Sequence, residues 1–167
     1  MTTSELLLQD FDQEMRGTRT TLERIPEDKS EFKCHDKSMA MGRLAVHVAT
    51  LPRFGVDILT TPGTDLATAK WPDMNFVSRE KLLSDFDKLS AEARAALAAA
   101  TDEQLAANWK MTWGDKSIAD APRSVLYRTL FFNHLIHHRA QLGVYLRLND
   151  LPVPPLYGPT ADDRMGF

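Results

Sequence analysis

The stretch Pro122–Leu148, PRSVLYRTLFFNHLIHHRAQLGVYLRL, decides the fold. Apolar side chains recur along it every three or four residues, which is the spacing of one face of an α-helix. Pro122 is acceptable at its start, because the first N–H groups of a helix have no partner within the helix. We therefore predict one long helix from about Pro122 to about Leu148.

Two apolar series before this stretch have the same helical period. The first begins near Leu7, with Ser4 as a plausible N-cap, and stops at Pro26. The second follows Ser38, and Pro52 within it predicts a kink or a break, because proline removes a helical hydrogen bond. The apolar positions are Leu7, Leu8, Phe11, Met15 and Leu22 in the first series, and Met41, Leu44, Ala45, Val48, Leu51, Phe54 and Ile58 in the second.

Ser78 predicts the start of a third helix, which ends near Thr101. The irregular segment WKMTWGDKSIADAP follows it, and its Gly114-Asp115 between apolar dipeptides predicts a small hairpin. The tail after Leu148 contains four prolines and is expected to be extended. Four long helices with almost no strand pattern predict an all-α fold, a four-helix bundle with long connecting loops and an extended C-terminal tail.

Length and composition are those of one globular domain, residues 1–167. Of the 167 residues, 43% are hydrophobic and 26% charged. The net charge of −3, without a basic block, argues against nucleic-acid binding. One cysteine, Cys34, excludes a disulfide framework, and no apolar run is long enough for a membrane span. The N-terminus lacks the basic region of a signal peptide, so we predict a cytoplasmic protein.

Three histidines fall in one turn of the predicted last helix, at 134, 137 and 138. His134 and His138 project about 40° apart and one turn from each other, so their imidazoles can reach one metal ion. His137 lies toward the polar edge, and we expect it not to bind. His47 lies in the apolar stripe of the second helix and adds a third inward imidazole. A lone histidine there is usually a satisfied core residue, but burying three imidazoles without partners is unfavourable.

The loop after the first helix carries the remaining candidate ligands. His35 lies beside Cys34 in the polar stretch PEDKSEFKCHDKS and is expected to be solvated. A contribution from either residue to the metal site stays open.

The segments LAVHVATLPRF and PRSVLYRTLFFNHLIHHRAQLGVYLRLNDLPVPPLYGP resemble the DinB-like (DinB/YfiT-type) metal-binding four-helix bundles. The resemblance spans essentially the whole chain and is most specific around the last helix. It implies that one histidine of the second helix and an H-x-x-x-H pair of the fourth bind a divalent metal ion, nickel or zinc. The matching positions are His47, His134 and His138.

A site of three neutral imidazoles leaves the charge of a divalent ion uncompensated and leaves room for water or substrate, which is typical of catalytic sites. Such an ion could activate water or hold a thiolate, and the resemblance implies relatives that are S-transferases using low-molecular-weight thiols. We predict a metal-dependent enzyme with a small-molecule substrate, either a hydrolase or a thiol-dependent S-transferase. The alternative is a non-catalytic metal-binding stress-response protein, which a sealed metal site would favour.

Ligand imidazoles usually need their second ring nitrogen held by a partner. The candidates are Gln141 and Tyr145 on the ligand face of the last helix and Asp57 near the end of the second helix. Tyr145 has a competing interpretation as a core residue with a satisfied hydroxyl. The sequence identifies no specific catalytic acid or base.

The last helix is apolar on more than one face, because Phe132, Leu135, Ile136 and Leu146 lie about 100–200° from the ligands. One bundle core cannot easily cover so wide a sector. The proline-rich tail could cover part of it, and a symmetric dimer is the commonest cover for the remainder. The resemblance also implies pairing, so we predict a homodimer.

Overall fold

Four long helical segments and a small sheet form the fold in the computed structural model, which describes residues 1–166. The helices are α1 (Thr3–Leu22), α2 (Met41–Thr60), α3 (Arg79–Ala99), α4 (Asp102–Ala106), α5 (Arg123–Leu126) and α6 (Asn133–Leu148), with a 3₁₀ turn at Glu27–Lys29 and a π-helical segment at Tyr127–Phe132. The strands are β1 (Gly63–Asp65), β2 (Asn108–Trp113) and β3 (Lys116–Pro122). The four helices predicted from the apolar periodicity therefore correspond to α1, α2, α3 and the continuous segment from α5 to α6.

Side-chain caps set the starts of α1 and α3. Ser78, the predicted cap of α3, accepts a hydrogen bond from the N–H of Lys81 at 3.1 Å. At α1 the prediction of Ser4 is wrong, because Thr2 is the cap and forms a capping box with Glu5. In a capping box each of the two side chains accepts from the backbone N–H of the other residue, which satisfies two free donors at once. Ser4 instead lies buried inside α1.

Helix α2 runs unbroken through Pro52, so the structure has no break there. Pro52 has no N–H, and the carbonyl of Val48 therefore lacks its usual helical partner. Val48, Leu51 and Pro52 are all buried, and burial of this apolar face offsets one lost hydrogen bond. As a result, His47 before the proline and Asp57 after it belong to one rigid helix.

The three-stranded sheet corrects the all-α prediction. The hairpin expected around Gly114 is present as the antiparallel pair β2 and β3, and Gly114 has a φ of 55°, which favours glycine. β1 pairs in parallel with the other edge of β2. Gly63 allows this approach, because a Cβ there would lie 2.7 Å from the carbonyl oxygen of Lys110. Trp109 of β2 is fully buried and donates from Nε1 to the Thr61 hydroxyl at 3.1 Å, which joins the sheet to the end of α2.

The last helix buries more of its surface within one chain than the helical wheel predicted. The π-helical segment Tyr127–Phe132 shifts only the residues before it relative to the histidines, whereas Leu135 and Leu146 lie in the regular helix α6, which packs against both α1 and α2. Phe132, Leu135 and Leu146, which the wheel left outside the bundle core, are at most 2% exposed within one chain. Ile136 is half-buried. The premise of the dimer prediction is corrected, because the chain itself covers most of that apolar sector.

A buried ion pair fixes the tail, which contains no helix or strand between Leu151 and residue 166. Arg139 of α6 is 2% exposed and lies 2.7 Å from the carboxylate of Glu14 in α1. Its guanidinium also donates to the Glu14 carbonyl at 3.0 Å and to the Thr18 hydroxyl at 3.1 Å. Tyr157 of the tail donates to the same carboxylate at 2.6 Å. The extended tail is thus joined to both α1 and α6.

The core is formed by all the long helical segments, with α2 packed against both α3 and α6. Among residues 1–166, no helix combines the length and the apolar character that crossing a bilayer requires. The largest fully buried side chains are Phe11, Leu22, Ile25, Met41, Leu44, Ile58, Leu59, Phe86, Leu97, Trp109, Tyr127 and Phe131.

Candidate metal centre

Two helices bring three histidine side chains to one point. His47 belongs to α2, and His134 and His138 belong to successive turns of α6. The Nε2 atoms of His47 and His134 lie 3.2 Å apart, and one ring nitrogen from each histidine lies within 4.8 Å of the other two. The ring centroid of His138 is 4.6 Å from that of His47 and 4.7 Å from that of His134. In the described part of the chain, this is the only such group of three or more His, Cys, Asp or Glu side chains.

The environment favours the neutral form of all three imidazoles. Burial, with smaller contributions from His138 and His134, lowers the pKa of His47 from 6.5 to about 4. Burial also lowers the pKa of His134, and the neighbouring His138 adds to the effect. Burial lowers the pKa of His138 as well, although a hydrogen bond to Gln141 opposes it. A neutral imidazole keeps a lone pair, and this is the form that binds a metal ion.

Gln141 orients the ring of His138. Its Oε1 lies 2.7 Å from Nδ1 of His138, so Nδ1 carries the proton and donates to the amide oxygen. Nε2 of His138 is then the nitrogen with the available lone pair. The amide nitrogen of Gln141 lies 3.1 Å from Nε2 of His137, which fixes the amide in this orientation. Gln141 therefore has the contact expected of a residue that orients a metal ligand.

The other two candidates for this orienting role make different contacts. The Tyr145 hydroxyl donates to the carbonyl of Met39 at 2.7 Å, and the side chain is 4% exposed, as its interpretation as a core residue requires. Asp57 is half-buried, and within residues 1–166 its carboxylate has no hydrogen bond to an imidazole of the cluster. Burial raises the pKa of Asp57, and the nearby Arg53 opposes this shift.

The remaining histidines and the cysteine lie outside the cluster. His137 is exposed, with its ring centroid 4.8 Å from that of His138. His35 is exposed in the loop after α1, where its Nδ1 accepts from the N–H of Lys37 at 3.1 Å. Cys34 is exposed in the same loop. None of the three belongs to the group of ring nitrogens that could share an ion.

The cluster forms part of the wall of a cavity of about 330 Å³. His47 and His134 both line it, together with neighbouring residues of α2 and the connection between α2 and α3. Its volume is at the lower end of the range for small-molecule sites. The lining is mainly apolar, and its apolar residues are Leu51, Phe54, Leu66, Ala69, Trp71, Pro72, Met74, Met111 and Leu130.

Arg53, Lys70 and Trp71, which give this cavity its charge and its outer wall, were not predicted as site residues from the sequence. Arg53 and Lys70 both line it. Trp71 lines it from the connection between α2 and α3 and is 67% exposed. Residues 60–73, TTPGTDLATAKWPD, have the Thr, Pro, Gly and Asp composition of a loop, but nothing in this composition indicates a position over the histidines. The available signal was Trp71, the one aromatic residue of this segment.

The donor set fits a divalent transition-metal ion. Two nitrogen ligands of one tetrahedral zinc ion lie about 3.3 Å apart, from metal–nitrogen distances of about 2.0–2.1 Å. The observed 3.2 Å between Nε2 of His47 and Nε2 of His134 is close to this value. The same distance also allows a hydrogen bond between two neutral imidazoles when no ion is bound. Imidazole ligands suit zinc, nickel, copper and iron.

The chain belongs to the DinB family, whose model matches residues 1–164. This confirms the resemblance inferred from the histidine-containing segments. A DinB-like protein from Bacillus subtilis is similar in structure, with 20% sequence identity and a TM-score of 0.71 over 91% of this chain and 97% of that one. A DinB-like protein from Bacillus cereus has 23% identity and a TM-score of 0.66 over 90% of this chain and 95% of that one. No curated protein matches the chain. At these identities, the structural similarity establishes the fold.

Proposed function

We propose that the protein is a divalent-metal-dependent enzyme that holds nickel or zinc with His47, His134 and His138. The observation that carries the proposal is that His47 and His134 line a cavity of about 330 Å³ instead of lying in a sealed core. A structural metal site has no use for such access, whereas a catalytic site must admit a substrate to its open position. We propose that the cavity binds the small-molecule substrate.

The residues around the cluster have separate roles in this proposal. A divalent ion bound by three neutral imidazoles would supply Lewis acidity. Gln141 keeps the ring of His138 in the orientation that leaves Nε2 free. Asp57 is the only carboxyl group among the residues that line the cavity. Its raised pKa fits a group that accepts a proton from a nucleophile at a carboxylate oxygen.

Two reactions fit this arrangement. In hydrolysis the nucleophile is water, and in S-transfer it is a low-molecular-weight thiol. Both need a cavity that excludes bulk water around the reacting groups, and the apolar lining supplies this. Low-molecular-weight thiols and exposed cysteines such as Cys34 stay reduced in the cytoplasm, where we propose that the protein acts.

Metal analysis followed by a substrate screen tests the proposal. The protein is purified without a nickel column, its metal content is measured, and ester and electrophilic substrates are screened with and without thiols. About one ion per chain and turnover that a chelator abolishes would support the enzyme. Turnover only with a thiol would identify an S-transferase. Stoichiometric metal with no turnover of any substrate would favour the non-catalytic metal-binding alternative.

We also propose that the protein forms a homodimer through the outer face of α6. The support is an exposed apolar strip on this helix: Val144 is 56% exposed, Leu148 is 55% exposed four residues later, and Ile136 is half-buried eight residues before Val144. Light scattering should give about 38 kDa, twice the 18.8 kDa of one chain. Val144→Glu should lower this mass, as should Ile136→Glu. A monomeric mass for the unmodified protein would refute the dimer.

A further inference from the structure

The cavity beside the three histidines has an excess of positive charge. Arg53 and Lys70 line it against a single carboxyl group, that of Asp57. Both side chains are exposed, and within residues 1–166 neither has a side-chain hydrogen bond or an ion pair within 4.0 Å, although Arg53 lies near Asp57 on the next turn of α2. A divalent ion at the neutral imidazoles would add further positive charge that no ligand compensates. A molecule that enters this cavity is favoured if it carries negative charge.

Arg53 is placed to bind the negatively charged group of such a ligand. It follows His47 by six residues on the unbroken α2, which is about 9 Å along the helix axis. It also lines a second cavity of about 280 Å³ between α2 and α3, with Thr50 and Pro72 as the other residues common to both. A guanidinium at this junction without a side-chain hydrogen bond can bind a carboxylate or a phosphate through two parallel hydrogen bonds.

The rest of the lining requires an apolar ligand body. Phe54, Trp71 and Met111 are three of the nine apolar residues that surround the cavity. A small ion such as acetate or inorganic phosphate would leave these side chains in contact with water. An aromatic or branched aliphatic group would cover them, and burial of its apolar surface would contribute about 25 cal/mol per Å².

We propose that the ligand of this cavity is a small amphipathic anion, with an apolar body against this lining and a terminal carboxylate or phosphate on the Arg53 guanidinium. Lys70 adds a second positive charge at the same cavity. Arg53 therefore determines specificity by charge. The inference rests on the proposed function only in taking this ligand to be the substrate, because binding of the anion by Arg53 does not require the metal ion.

Calorimetric titration with three ligands of the same ring body tests the inference. The probes are naphthalene-2-carboxylate, 2-naphthyl phosphate and the neutral naphthalene-2-carboxamide. At least one of the anions should bind about tenfold more tightly than the carboxamide, and the tighter of the two identifies the acid group. Arg53→Gln should weaken binding of that anion about tenfold, which is the loss expected for one charge-assisted hydrogen bond. The affinity for the carboxamide should not change. Arg53→Lys should lie between the two.

Two controls separate this inference from the proposed metal site. Arg16→Gln removes an exposed arginine of α1 that does not line the cavity, and it should change no affinity. The titrations are repeated after the metal has been removed with a chelator. Anion binding that persists and still depends on Arg53 supports the inference, even if metal analysis finds no ion and the proposed function fails. If anion binding is lost with the metal and is unchanged by Arg53→Gln, the acid group binds to the ion and the inference is overturned. Equal affinities for the anions and the carboxamide would also overturn it.

Discussion

Replacement of Arg139 by methionine should destabilise the protein strongly. The guanidinium is 2% exposed and contacts the Glu14 carboxylate at 2.7 Å, the Glu14 carbonyl at 3.0 Å and the Thr18 hydroxyl at 3.1 Å. Methionine fills much of the same volume but leaves the buried carboxylate with only the Tyr157 hydroxyl. Breaking one side of a buried ion pair costs about 3–5 kcal/mol. In a domain of this size, such a loss lowers the melting temperature by roughly 6–20 °C.

Urea denaturation followed by circular dichroism measures the change, and the chain offers a matched control. Arg147 also joins α6 to the tail, through Asp162 at 2.6 Å, but its side chain is 48% exposed. Arg147→Met should therefore cost at most about 1 kcal/mol. Equal losses for the two variants would refute the argument from burial.

A double-mutant cycle isolates the ion pair from the packing of the arginine side chain. In the double variant Glu14→Leu with Arg139→Met, no buried charge remains, and replacing a buried pair by apolar residues is often neutral. The double variant should therefore be more stable than Arg139→Met alone. If the double variant loses as much free energy of unfolding as Glu14→Leu and Arg139→Met lose separately, the two charges do not stabilise each other. The cost of Arg139→Met would then come from packing.

Three further predictions concern the metal centre. His138→Ala should abolish binding of about one ion per chain and His137→Ala should leave it nearly intact, as measured by metal analysis; the opposite result would show that the ligands are assigned wrongly. Acidification from about pH 7.5 to about 5 should release the ion with proton uptake, because the ligands must be neutral, and an unchanged affinity would contradict an all-histidine site. In the metal-free protein, the free energy of unfolding should fall as the pH drops from 6.5 toward 4, because unfolded His47 takes up a proton at its ordinary pKa of 6.5 and the folded form only at about 4. Partial exposure reduces this loss to about 1–2 kcal/mol, and chemical denaturation of His47→Gln should show a flatter pH dependence.

The helices and the hairpin could be predicted because their signals are local. Ser78 caps α3 through a residue three positions away, and Gly114 makes the turn between adjacent strands. β1 could not be predicted, since its three residues form a strand only by pairing with Lys110 and its neighbours, far along the chain. The tail was predicted to be extended from its prolines, but nothing local indicates that Tyr157 reaches Glu14 in α1.

The candidate site also has a part that the sequence predicts, the three histidines, and a part that it does not, the cavity beside them. His134 and His138 are one helical turn apart, so their convergence follows from the sequence, and His47 lies in an apolar stripe that had to face them. The cavity depends instead on how the connection between α2 and α3 folds back over α2. Arg53 and Lys70 come together only through that path, which no periodic pattern encodes.

The π-helical segment has a consequence for how the length of this chain can change. One residue more than a regular helix needs is accommodated between Tyr127 and Phe132, directly before His134. A deletion of one residue there would restore an ordinary helix and would leave His134 and His138 facing nearly the same way relative to the residues before them, because the wider π-turns absorb the extra residue's step of about 100°. A further residue added there as regular helix would instead rotate both histidines by about 100° and turn them away from His47. The interval between Pro122 and His134 can therefore lose one residue but cannot gain one as regular helix, whereas the connection between α2 and α3 can change in length without moving the three histidines.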